Sequence, residues 1–246
     1  MKKQTKRQEK LIQIIEKQGL LPAKNLASIL QVSEMTIRRD LQALQFKPAA
    51  ENIQANSEYS LLHALKKSND QKNRIGKFAA SLIDNNDVIA LDTGSTTARM
   101  LPHISKEQNL TILCYNANVL LELKDNPGIN LIFCGGIYHK ETEMFECPES
   151  IQFIQRTRAN KVFLSAAGIH RKLGITCINS YEVATKQAII QSSLERILVA
   201  DSGKFSQISP AYFCDISDID TIVTDNNLET KWQNLIISKG IKLYLV

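Results

Sequence analysis

The stretch that decides the fold is VIALDTGSTT, residues 88–97. Val88, Ile89, Ala90 and Leu91 are apolar without alternation, as a strand buried on both faces requires. Asp92, Gly94 and the hydroxyl residues Thr93, Ser95, Thr96 and Thr97 follow before helical spacing begins. Similar runs recur at LTILC (110–114), LIFC (131–134), VFLSA (162–166), ILVAD (197–201), DTIVTD (220–225) and KLYLV (242–246). Segments of helical character lie near 96–104, 117–124, 149–156, 180–195 and 228–239, and another spans 61–83. Apolar strands alternating with helices predict an α/β fold, a doubly wound parallel sheet covered on both faces. Ligands of such sheets bind at the carboxyl ends of the strands. Small and polar residues gather there: the 92–97 stretch, Tyr115-Asn116, Gly135-Gly136 before Tyr138-His139, Ala167–His170 with Gly174, and Asp201–Lys204.

Within 92–97, Gly94 lets the backbone bend, and hydroxyls with helix N-terminal amides suit a phosphate. A plain capped turn from strand to helix explains the same residues. Asn179 and Glu182 fit a capping box, and Glu182 with Lys186 reads on its own as an ordinary pair on a helix surface.

The chain has 246 residues, 43% of them hydrophobic and 22% charged, which excludes collagen-like and disordered classes. No apolar run reaches the roughly 20 residues that cross a bilayer. The basic start, MKKQTKRQEK, is followed by charged residues instead of a signal peptide's apolar stretch, so the expected location is the cytoplasm. Five cysteines and four histidines lack zinc-site spacing, and no metal or cofactor is expected.

Charge is unevenly placed. Residues 1–50 carry ten basic residues against four acidic ones, which leaves the rest of this +5 chain near neutral. Such a head suits an anionic polymer. Leu11, Ile12, Ile14 and Ile15 form one apolar helical face ending at Gly19. Pro22 opens a short helix with Leu26, Ile29 and Leu30. Ser33 is an N-cap for a third helix in which Ile37, Leu41 and Leu44 make the buried stripe. Glu34, Thr36, Arg38, Arg39 and Gln42 occupy its other face, which is helix-turn-helix geometry.

The stretch KRQEKLIQIIEKQGLLPAKNLASILQVSEMTIRRDLQAL resembles the N-terminal helix-turn-helix of the DeoR family of bacterial transcription regulators, most specifically in VSEMTIRRDLQAL. The resemblance implies a DNA-binding motif from Leu20 to Arg39, with Ser33, Glu34, Met35, Thr36, Arg38, Arg39 and Gln42 facing DNA. Gln31 stands where many such motifs have glycine, a replacement suited to a negative φ. The family usually follows with a Gly-Gly-containing β-hairpin wing, whereas 45–58, QFKPAAENIQANSE, has no glycine.

DTGSTT, CYN, CGGIYH, SAAGIHRKLGITCIN, the Glu182/Lys186 pair and DSGKF resemble, in order, the family's effector domain, itself similar to ribose 5-phosphate isomerase. The implied boundaries are 1–57 for the DNA reader, 58–74 for a connecting segment and 75–246 for the effector domain. The implied function is a homo-oligomeric repressor, not an enzyme, that leaves operator DNA when a phosphorylated sugar binds. CYNANVLLELKD, FCGGIYH and SAAGIHRKLGITCIN are most similar to the branch controlling deoxyribonucleoside use, which implies deoxyribose 5-phosphate. Asp92, Gly94, Ser95, Thr96 and Thr97 would form the phosphate loop, and Asn116, Gly135, Gly136, Glu182, Asp201 and Lys204 would surround the sugar. On this reading Asp92 contacts sugar hydroxyls or orients the loop, and Asp92→Asn impairs ligand binding with little effect on melting. The competing reading is a sugar-phosphate isomerase with Glu182 or Asp201 as general base. The basic helix-turn-helix, for which an isomerase has no use, stands against it.

Replacing Arg38 and Arg39 together by Ala is expected to weaken operator binding and to leave sugar-phosphate binding intact. A gel-shift titration giving unchanged affinity would remove this helix from the DNA contact.

Overall fold

In a computed structural model of the chain, the residues described are 10, 11, 14, 23–33, 35–37, 40, 61 and 69–246. The chain divides into two units, Met1–Tyr59 and Ser60–Val246. In the first, α1 (Ala23–Leu30) packs Leu26 and Ala27 against Leu11 and Ile37, with Ile14, Leu30 and Val32 around them. The helix ends in a two-bond motif: the Val32 amide donates to the Ala27 carbonyl at 3.1 Å and the Gln31 amide to Ser28 at 3.4 Å. This closure needs a left-handed residue after the last helical one, normally glycine. Here it is Gln31, at φ +52°. The negative φ expected of it is therefore wrong, because the bond from Val32 to Ala27 closes only through a left-handed residue. Ser33 caps the next turn as expected, accepting from the Thr36 amide at 3.2 Å. The proposed contacts at Leu20, Glu34, Arg38, Arg39 and Gln42, and the wing over 45–58, lie outside the described residues.

The second unit opens its described continuous part with α2 (Asn69–Ala80). It continues through β1 (Val88–Leu91), a 3-10 turn (Thr97–His103), β2 (Leu110–Cys114), α3 (Ala117–Leu123) and β3 (Ile129–Phe133). A hairpin of β4 (Ile137–His139) and β5 (Met144–Glu146) leads into α4 (Pro148–Arg156) and β6 (Ala159–Leu164). Then come β7 (Gly168–His170), β8 (Gly174–Cys177), α5 (Tyr181–Gln191), β9 (Ser193–Val199) and β10 (Ala211–Cys214). The last elements are β11 (Thr221–Thr224), α6 (Thr230–Ser238) and β12 (Lys242–Leu245). Among the described residues, seven parallel strands form the main sheet in the order β12-β11-β9-β6-β1-β2-β3.

Side chains alternate between the two faces of this sheet. Ala90, Leu113, Val162, Leu164, Leu198 and Ile222 pack with Ile154 of α4, Ala188 and Ile189 of α5, and Trp232 and Ile236 of α6. Ile89, Leu91, Ile112, Phe163, Ile197, Val199 and Val223 pack with Ile75 of α2, Met100 of the 3-10 turn and Val119 of α3. That is why these strands read as unbroken apolar runs. Counted within the main sheet, the strands lie in the order three, two, one, four, five, six, seven, so winding reverses between β1 and β6. Open α/β sheets bind ligands at this reversal.

Two small sheets were not anticipated. The β4–β5 hairpin and the antiparallel β10-β8-β7 sheet use CGGIYH and GIHRKLGITC, which the sequence reading treated as strand-end loops. The VFLSA run also stops at Leu164 rather than at residue 166, because the Ser165 amide leaves the ladder for the Asp92 carboxylate.

A left-handed conformation costs a non-glycine residue about 1–2 kcal/mol. Gln31→Gly is thus expected to stabilise the N-terminal unit by roughly 1 kcal/mol, and a chemical denaturation curve no higher than wild type would show that the turn carries no such strain.

Candidate functional site

At the reversal the chain leaves β1 through Asp92, whose side chain is fully buried. One carboxylate oxygen accepts from the Tyr115 hydroxyl at 2.5 Å. The other accepts from the Lys186 ammonium at 2.5 Å, the Ser165 amide at 2.8 Å and the Ser165 hydroxyl at 3.0 Å. Tyr115 follows β2, Ser165 follows β6 and Lys186 belongs to α5, so one carboxylate joins four elements. Burial and the Asp92 charge push the Tyr115 phenol well above its usual pKa, which keeps it protonated as a donor.

Lys186 is also buried, with Glu182 one helical turn away at 3.8 Å. Burial alone would lower its pKa, but the Asp92 and Glu182 carboxylates outweigh that and hold it raised, hence charged. Burial raises Glu182, against the pull of Lys186 and with a further push from Asp92. Its carboxylate accepts from the Asn179 amide at 3.2 Å and side chain at 2.9 Å, the glutamate half of the expected capping box. Glu182 and Lys186 are therefore not the helix-surface pair that their spacing alone suggests: α5 turns this face into the protein, toward Asp92.

The loop that follows is shaped by these contacts. The Thr97 hydroxyl donates to the Asp92 and Gly94 carbonyls, both at 2.9 Å, and the Ser165 hydroxyl donates to the Thr93 carbonyl at 2.6 Å. A Cβ on Gly94 would stand 2.4 Å from the Ser165 hydroxyl, so only glycine fits. Ser95 and Thr96 are buried, yet their amides donate to no backbone acceptor among the described residues.

The other anticipated residues stand at the same carboxyl edge of the sheet, after β2, β3 and β9, or on α5. Asn116, after β2, is buried; its oxygen accepts from the Tyr115 amide at 3.3 Å, and its amide nitrogen has no hydrogen-bond partner among the described residues. Asp201 is buried after β9, and Lys204, half-buried, makes no ion pair among the described residues. Asp225 fixes this loop by accepting from the Ser202 amide and hydroxyl at 2.7 and 2.8 Å. Gly135 and Gly136 serve the β4–β5 hairpin: Gly136 has φ +138°, and a Cβ there would meet the Glu146 carbonyl at 2.4 Å. Sequence reasoning did not place Tyr115, Ser165 and Lys186 in the site. Tyr115 and Ser165 had a visible signal, each sitting at a strand's carboxyl end, and Lys186 had one in its pairing with Glu182. No group of His, Cys, Asp and Glu able to hold a metal occurs among the described residues, and no helix among them is long and apolar enough to cross a membrane.

Residues 67–226 match the DeoR C terminal sensor domain and residues 7–51 the DeoR-like helix-turn-helix domain. The chain belongs to the DeoR family. The deoxyribose operon repressor of Escherichia coli K12 is 30% identical over 98% of this chain and 99% of its own. The transcriptional regulator GolR of Listeria innocua is 29% identical over 90% and 91%. Among solved structures, ribose 5-phosphate isomerase A from Neisseria gonorrhoeae covers 56% of this chain and 53% of its own at a TM-score of 0.41 and 13% identity, a level at which no reaction is transferred. The protein is a DNA-binding transcriptional repressor of this family and not an enzyme, in keeping with relatives that are named regulators.

The earlier expectation that Asp92→Asn would spare stability does not fit a carboxylate with four donors, one of them a buried cation. Removing one partner of a buried ion pair costs about 3–5 kcal/mol. Asp92→Asn is expected to lower the melting temperature by roughly 6–20 °C; calorimetry showing an unchanged value would mean that Lys186 finds another counter-charge.

Proposed function

We propose that this repressor controls an operon of sugar or nucleoside catabolism in the cytoplasm and that a phosphorylated sugar at Gly94–Thr97 releases it from operator DNA. The observation that carries the reading is the pair of unbonded amides at Ser95 and Thr96 in a buried, glycine-dependent loop at the sheet's reversal. Such amides suit a phosphate, and the Lys204 ammonium, which has no ion pair among the described residues, adds charge. Asn116, with an unpartnered amide, and Asp201 supply polar groups for sugar hydroxyls. Asp92 and Glu182 act behind them: Asp92 orients the loop, and Glu182 flanks the Lys186 ammonium. Gly135 and Gly136 contribute backbone shape. Deoxyribose 5-phosphate is the proposed inducer, supported by the similarity to a deoxyribose operon repressor.

The DNA reader is residues 1–57, with the helix from Ser33 in the major groove; 58–74 connect it to the effector domain, 75–246. The working form is a homo-oligomer, since helix-turn-helix readers pair on two half-sites. Saturating ligand typically weakens such DNA binding ~5–150-fold.

A melting-temperature panel of pentose, deoxypentose and hexose phosphates tests the reading. A ligand at 100 times its Kd stabilises by ~2.7 kcal/mol, and no shift with any of them sinks the proposal. Lys204→Ala is expected to remove one charge-assisted hydrogen bond, ~1.5–3 kcal/mol, and to weaken the effective phosphate roughly 10–150-fold in calorimetric titration. Wild-type affinity would take Lys204 out of the site.

A further inference from the structure

The turn between β4 and β5 presents three consecutive carbonyls to three different parts of the molecule. Glu141 accepts from the Leu61 amide at 2.8 Å, Thr142 from the Thr93 hydroxyl at 2.9 Å, and Glu143 from the Ala117 amide at 2.8 Å. Thr93 immediately precedes the Gly94–Thr97 loop. Ala117 opens α3 next to Asn116. Leu61, almost fully buried, stands two residues after the N-terminal unit ends at Tyr59.

The same turn also holds α5. Thr142 is fully buried, and its hydroxyl lies 3.2 Å from that of Tyr181, the first residue of the helix that carries Glu182 and Lys186. The His139 ring stacks on Tyr181 with centroids 3.6 Å apart and planes 7° from parallel. Glu143 in the turn takes the left-handed conformation, at φ +54°. Three adjacent carbonyls are thus each anchored to a different donor, so a displacement of the turn as a body disturbs all three contacts together.

We propose that the Glu141–Glu143 turn is the relay of induction: it transmits occupation of the Gly94–Thr97 loop, through Thr93, to Leu61 and the segment leading to the DNA reader. The inference rests on the sugar-phosphate reading above. A ligand acts through the relay by favouring one position of Thr93 over another, as any shift of an equilibrium requires. None of the three acceptors is a side chain, so the relay works through backbone positions and its sensitive part is the donor at Thr93.

The test uses the full chain, a duplex selected by it from a random pool, and 2-deoxyribose 5-phosphate. Thr93→Val removes the hydroxyl and keeps the shape. The variant is expected to bind duplex and deoxyribose 5-phosphate as wild type does, while saturating sugar phosphate, which weakens wild-type duplex binding ~5–150-fold, weakens the variant's less than about twofold. An unchanged ratio with sugar binding intact overturns the relay. If the variant loses sugar binding, hydrogen exchange of the wild-type Leu61 amide decides: altered protection on saturation supports the relay, and unaltered protection overturns it. Failure of the underlying reading is seen separately, as wild-type protein whose melting no sugar phosphate shifts.

Discussion

The buried contact between Asp92 and Lys186 is the constraint on which the rest of the sensor depends. Two charges taken from water gain little net stability from each other, because desolvation offsets most of their attraction. What the pair supplies here is position. Asp92 draws the ends of β1, β2 and β6 and the face of α5 to one point, and Thr97 and Ser165 then hold the backbone of the following loop. Among the described residues, the amides of Ser95 and Thr96 have no backbone acceptor.

The same contact explains why this site suits binding better than proton transfer. A general base needs a lone pair within reach of the substrate. Asp92 gives its lone pairs to Tyr115, Lys186 and both donors of Ser165. Glu182 is turned toward Asn179 and Lys186. Asp92 and Glu182 serve as joints, as Asp225 does for the loop that bears Lys204.

Most of the sheet was legible in the sequence because its strands are buried on both faces: at Ile89, Ala90 and Leu91 no polar residue interrupts the run. Strand order was not, since apolar runs carry no record of which run they pair with, and the reversal between β1 and β6 exists only in the pairing. The burial of Lys186 against Asp92 was not legible because an i, i+4 partner at Glu182 looks alike on a surface and in a core; Asp92, which distinguishes the two, is remote in sequence. The short strands β4, β5, β7, β8 and β10 hold three or four residues each, too few for an alternating pattern to show. Gln31 was misjudged because its φ is set by the bond from Val32 to Ala27, a demand of the helix end and not of the residue itself.

Asp92 and Lys186 are 94 residues apart in the chain. At synthesis rates of about 5–20 residues per second, the carboxylate leaves the ribosome's catalytic centre roughly 5–20 s before its cation is made. Through that interval β1 and β2 have been synthesised, but the carboxylate that follows β1 has no Lys186 to pair with. The DNA-reading segment is made earlier still. Each new molecule therefore passes through a period in which its helix-turn-helix segment has been synthesised and the buried pair that organises its sensor domain has not.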